Sequence, residues 1–253
     1  MRPDTAALPA GGVEARVEAH ARLSRHDGRL TWASSPPLVL RRTGPRRVHL
    51  VQVGGGPLGG DRLRLDVDLG PGESLVLRTA AATIVQPGRD GGTARFAVHA
   101  RLGPGAVLDW RPAPTVVTDG ADWWASLDLH LADGAAATVT EQLVLGRAGQ
   151  RGGRARSDLA ATVAGRPLLV SSTRLDGADP VLSGPGGSGG ARSVGTVLVC
   201  GSRAGEAGGE EDDLRWARTV LDGPGTLTTA VGATTAVTRL LAAQCPGGAA
   251  GST

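Results

Sequence analysis

Residues 61–85, "DRLRLDVDLGPGESLVLRTAAATIV", decide the fold. Leu63, Leu65, Val67 and Leu69 share one parity while Arg62, Arg64, Asp66 and Asp68 share the other, the period-two pattern of a half-buried strand. "GPGE" then supplies turn residues, and "SLVLRTAAATIVQ" returns as a second extended segment, which reads as a hairpin.

The unit recurs outward along the chain. "ARFAVHARLGPGAVLDWRP" carries a second L-G-P-G at 102–105, "ASLDLHLADGAAATVTEQLVLG" carries L-A-D-G at 131–134, and "SDLAATVAGRPLLVSSTRL" turns near Gly165. Turns about every 30 residues, with no helical period between 60 and 176, predict a mainly all-β fold. Its expected form is stacked β-hairpins in two layered, β-helix-like sheets, with one or two short C-terminal helices. "TTAVTRLLAAQ" at 234–244 predicts one such helix, with a threonine as N-cap. "RSVGTVLVCG" fits a buried strand or a short helix. A single domain is expected over 1–253, with its core at about 13–242. Flexible loops are expected at 183–193 and 202–213, and disordered ends at 1–12 and 246–253.

Composition excludes some functions. The 253 residues carry 40 glycines and 16 prolines, and all 27 Lys+Arg positions are arginine. With net charge +3 and the arginines scattered among 24 acids, nucleic-acid binding is not expected. No run approaches the roughly 18 apolar residues of a membrane span, and a cytoplasmic protein is the simplest reading. Cys200 and Cys245 form no C-x-x-C pair and read as a buried thiol and an exposed tail thiol.

Ahead of the deciding stretch, "GGGPLGGD" at 54–61 contains G-x-G-x-x-G. A dinucleotide site needs the last glycine to open a helix whose N-terminus holds the pyrophosphate, and here a strand opens instead. A phosphate loop of the Walker type needs a lysine, and the chain has none. Gly55, Gly56, Gly59 and Gly60 therefore predict a turn where two backbones approach closely.

Asp61 shares the parity of the buried leucines, so its carboxylate is expected to point inward. Glu141 does the same beside Val139, Leu143 and Leu145. An inward carboxylate needs a partner, water or an ion. Arg147 is one candidate partner; a polar interior that carries a cation is the other reading. The five histidines form no H-x-H or H-x-x-x-H pair, and His99 and His130 lie on the polar parity of their strands. There is no G-x-S-x-G elbow. Of the adjacent Trp123 and Trp124, one should be core and the other exposed, a candidate interface anchor.

"PLGGDRLRLDVDLGPGESLVLRTAAATIV" resembles the signature region of the urease accessory protein D family, also called H. "LDWRPAPTVVTDGADWW", "LADGAAATVTEQLVLGR" and "GRPLLVSSTRLDG" follow in the family's order. The resemblance implies a non-enzymatic chaperone that assembles with accessory proteins F and G on the urease apoprotein, with a dimer of such heterocomplexes allowed. It also implies help in delivering Ni²⁺ through an internal water-filled tunnel, with no tightly bound cofactor. By the same resemblance Asp61 and Glu141 take the nickel route, while Trp123, Trp124 and Arg147 are candidate partner contacts. Two rival readings remain open: a structural adaptor without metal passage, and a β-sheet enzyme. This chain departs from the family's pattern at "IVQPG" after Thr83 and in a short C-terminal segment.

Overall fold

The computed structural model describes residues 16–184 and 186–246. Two antiparallel hairpins open it, β1 (Glu18–His26) with β2 (Arg29–Ser34) and β3 (Leu38–Gly44) with β4 (Arg47–Gln52). A solenoid follows. Its first coil is β5 (Arg62–Leu69), β6 (Ser74–Thr79) and β7 (Thr83–Val85); its second is β8 (Ala94–Leu102), β9 (Val107–Arg111) and β10 (Thr115–Val117). The third is β11 (Asp122–Leu131) and the long β12 (Ala136–Leu145), which pairs in parallel with both β9 and β10. The chain then forms the hairpin β13 (Arg154–Val163) and β14 (Arg166–Asp176), and one turn of helix, α1 (Pro180–Ser183). It ends in β15 (Ser193–Cys200), β16 (Ala207–Glu211), β17 (Leu214–Val220), β18 (Gly225–Gly232) and α2 (Thr234–Gln244).

The all-β, solenoid-like architecture is the expected one; the pairing around the turns is not. A seven-stranded sheet runs β14-β13-β11-β8-β5-β1-β2, and an 11-stranded sheet contains β6, β9, β12 and β15. Strands on either side of an L-G-P-G turn therefore lie in different sheets. β5 pairs in parallel with β1 and β8, and β6 with β4 and β9. Alternation reports which face of a strand is buried, but not whether the covering face belongs to the same sheet or the opposite one. The turns stack on one another: Gly72 N–H donates to Pro104 O at 2.9 Å and Gly105 N–H to Asp133 O at 3.2 Å. Only the fourth unit is a true hairpin. Its turn residues Ala164 and Gly165 both have positive φ, 48° and 75°, the geometry that matches strand twist.

The register builds the core in ladders. Leu65, Val98, Leu127 and Leu159 align across four strands of the seven-stranded sheet and face Leu75, Leu77, Leu108 and Val139 of the other. Each buried Leu or Val contributes about 1.5–3 kcal/mol. The 11-stranded sheet is covered on its outer side by α2, whose Val237 and Leu241 pack with Val197 and Ala230. That is why "SVGTVLVC" is a near-continuous apolar strand rather than a helix, and why Thr140, Gln142 and Val144 are buried along with Leu143 and Leu145. At the start of α2, Ala233 occupies the N-cap and no side chain caps the helix. Residues 207–211, inside the second expected loop, pair with β17 as β16; of the segments expected to be disordered, 1–12 and all of 246–253 except Pro246 lie outside the described residues.

Candidate functional site

Between the two sheets lies a partly open cavity of about 130 Å³, room for several water molecules, with the exposed Ala80, Ala81 and Ala82 in its lining. Its walls come from the inward parities of both sheets. Among the described residues lining it, Glu141 of β12 is the one charged side chain. Glu141 keeps partial surface exposure, and that exposure faces the cavity. Its hydrogen-bond partner comes from the opposite sheet: Ser157 Oγ of β13 donates to Glu141 Oε2 at 2.5 Å. Burial pushes the Glu141 carboxyl above its ordinary range; the Ser157 hydroxyl pulls it back, and the charge of Asp158 raises it further.

Two more polar groups belong to the same cavity. Gln52 Nε2 and Trp123 Nε1 are buried without a hydrogen-bond partner, and both residues line it. An unpaired buried donor costs about 1–3 kcal/mol, so these two N–H groups call for an acceptor such as water within walls that are otherwise mainly apolar. On the other face of β12, Gln142 locks the wall to α2. Its Nε2 donates to Ser193 Oγ and Thr234 O, both at 2.9 Å, and its Oε1 accepts from Thr238 Oγ1 at 2.8 Å.

Asp61 is buried, as its parity predicts, but it does not line the cavity. Its Oδ1 accepts from the Val17 N–H and its Oδ2 from the Leu58 N–H, both at 2.9 Å, which ties the start of β1 to the glycine loop. The loop itself lies against segment 84–92. A Cβ on Gly56 would sit 1.9 Å from Ile84 O, and one on Gly59 would sit 2.7 Å from Gly88 N, so two backbones do approach closely here. The fold thus separates the two inward acids.

Arg147 is exposed and does not pair with Glu141; its backbone N–H donates to Gln150 Oε1 at 2.9 Å. Trp123 is buried, stacked on Phe96 with centroids 6.5 Å apart, so it cannot be a surface anchor. Trp124 faces outward and its Nε1 donates to Asp158 Oδ2 at 2.8 Å. His99 and His130 lie on the outer face, flanking Asp128 at 3.7 and 3.1 Å. Cys245 is buried, contrary to the exposed thiol expected, because it closes α2 with its Sγ donating to Leu241 O at 3.1 Å. Burial pushes the Cys200 thiol up to about 12. Among the described residues no three His, Cys, Asp or Glu side chains converge as a metal site, and no helix is long and apolar enough to cross a membrane.

Ser157, Gln52 and the Trp123 N–H are the site residues that sequence reasoning missed. Ser157 was within reach, since it shares the inward parity of Ala155 and Leu159. The other two depend on which strands meet across the interior.

Comparison with known proteins places the chain in a family. A family model described as UreD urease accessory protein matches residues 13–251. The chain belongs to the UreD family. It is 42% identical over 201 residues to the urease accessory protein UreD of Frankia alni, covering 73% of this chain and 67% of that protein. It is 37% identical over 220 residues to that of Frankia casuarinae, covering 75% and 67%. Against that of Streptomyces coelicolor it is 36% identical over 200 residues, covering 75% and 78%. Members of this family are accessory proteins of urease, so the chain is placed among accessory proteins and not among catalysts.

Proposed function

We propose that this chain is a cytoplasmic maturation scaffold for urease, assembling with accessory proteins F and G on the urease apoprotein and conducting Ni²⁺ through the cavity between its sheets. The observation that carries the reading is Glu141: among the described residues it is the one charged side chain lining the cavity between the sheets, and it is held there by a single hydroxyl. A single carboxylate with water ligands holds a divalent cation weakly, which suits transit, since a closed nitrogen or sulfur site would trap it. Asp61 serves this route through the fold, by fixing the glycine loop, because both its oxygens are taken by backbone N–H groups.

The test is coexpression of Glu141→Gln with urease subunits and the other accessory proteins. Nickel content and urease activity should fall while the accessory complex still purifies intact. Wild-type activation by Glu141→Gln in an intact complex would overturn the conduit and leave a structural adaptor.

A further inference from the structure

The outward residues of the seven-stranded sheet align in rows, because its registers set equivalent positions side by side. One row runs Arg22, Asp66, His99, Asp128, and the next runs Ser24, Asp68, Arg101, His130, Thr162. In these rows acids stand beside bases: Asp66 lies between Arg22 and His99, His99 Nδ1 is 3.7 Å from Asp128 Oδ2, and Asp68 lies beside Arg101.

The row through Trp124 breaks that rule. It runs Glu18, Arg62, Arg95, Trp124, Arg156, Arg174, which sets Arg62 opposite Arg95 and Arg156 opposite Arg174. Like charges directly opposite each other destabilise a sheet, so the Arg62/Arg95 and Arg156/Arg174 pairs cost the fold some of what the row's other contacts contribute. Glu18 pairs with Arg62 and Asp158 with Arg156, each at 2.9 Å, while Arg95 and Arg174 have no carboxylate within 4.0 Å among the described residues. Both unpaired arginines are exposed.

Trp124 organises the row. The Cζ atoms of Arg95 and Arg156 lie 4.6 and 4.8 Å from its ring centroid, one from each neighbouring strand. Asp158 anchors the indole through Nε1 and also accepts from Arg156. Guanidinium groups held on an aromatic face lose little freedom on binding, and Arg and Trp are the side chains that most often dominate interfaces.

We propose that this row is a docking strip for an acidic segment of a partner protein. Its carboxylates would meet Arg62 and Arg95 on one side of Trp124 and Arg156 and Arg174 on the other. The strip crosses four inter-strand steps, a span of about 19 Å. A nucleic acid fits less well, because the guanidinium groups of Arg95 and Arg156 already cover the Trp124 ring on which a base would stack. The proposal is independent of metal passage.

Fluorescence anisotropy with labelled poly-L-glutamate tests it on the full chain. Arg95→Ser/Arg174→Ser should weaken binding at least tenfold. The control Arg41→Ser/Arg42→Ser, which removes equal charge from exposed positions of β3, should stay within twofold. The row variant should melt within a few degrees of wild type, since two like-charge pairs are relieved while the Arg95 contact with Trp124 is lost. Trp124→Phe should abolish any change in tryptophan emission on binding. Three results would overturn the strip: no binding, equal loss in both double variants, or tighter binding of a thymidine oligonucleotide with the same dependence on Arg95 and Arg174.

Discussion

At the Asp61 corner both carboxylate oxygens accept backbone N–H groups, whereas in the cavity the Glu141 carboxyl meets a single hydroxyl, that of Ser157. Charge-assisted hydrogen bonds of the first kind stabilise a fold, and the acid belongs to the backbone architecture. A buried carboxyl of the second kind costs stability, and its presence points to a use other than folding. Side chains of one chemistry on one parity thus differ in what they do for the fold by how many donors surround them.

The comparison can be broken first at the glycine loop. Gly56→Ala would place a methyl against the Ile84 carbonyl at a φ of +103°, so the loop that presents Leu58 to Asp61 could not close. A loss of about 4 kcal/mol or more is expected, read as a collapse of the melting temperature or of folded yield. Asp61→Ala comes next. It leaves the Val17 and Leu58 N–H groups without their acceptor and should cost about 3 kcal/mol. At this chain length that corresponds to a melting temperature lower by roughly 6–12 °C.

Glu141→Gln should behave in the opposite sense. The folded carboxyl titrates above its ordinary value of 4.5 because burial opposes its charge. Below pH 4.5 both folded and unfolded carboxyls are protonated, and the group contributes no pH dependence. Above it the unfolded chain ionises first, so the wild-type fold loses stability as pH rises until the buried carboxyl also ionises. The stability of Glu141→Gln relative to wild type should therefore climb with pH over that window, measured by denaturant titrations at several pH values. Ser157→Ala is the smallest perturbation. It removes the hydroxyl that favours the charged form, costing about 1 kcal/mol and raising the Glu141 titration further, which a carboxyl-labelled NMR titration would read.

Much of this architecture was legible beforehand. The alternation at Leu63–Leu69 and its recurrence near 102, 131 and 165 give the strands, their buried faces and the roughly 30-residue repeat, because period two is a local property of an extended backbone. The same rule put Asp61 and Glu141 inside and separated Trp123 from Trp124.

It failed where a residue's surroundings come from distant strands. Gln142 lies on the opposite parity from Glu141, yet it is buried because α2 covers it from almost a hundred residues away. The pairing of β5 with β8 rather than β6 was equally hidden, since a turn sequence does not state whether the chain folds back within a sheet or crosses to the facing one. The sequence by itself determined which residues turn inward. Only the tertiary structure decided what each side chain meets: two backbone donors for Asp61, one hydroxyl and a cavity for Glu141, and, on the outer face, the guanidinium groups of Arg95 and Arg156 for Trp124. The reason is physical: side-chain direction is set by neighbouring φ and ψ, whereas partners are set by contacts across sheets that no local period encodes.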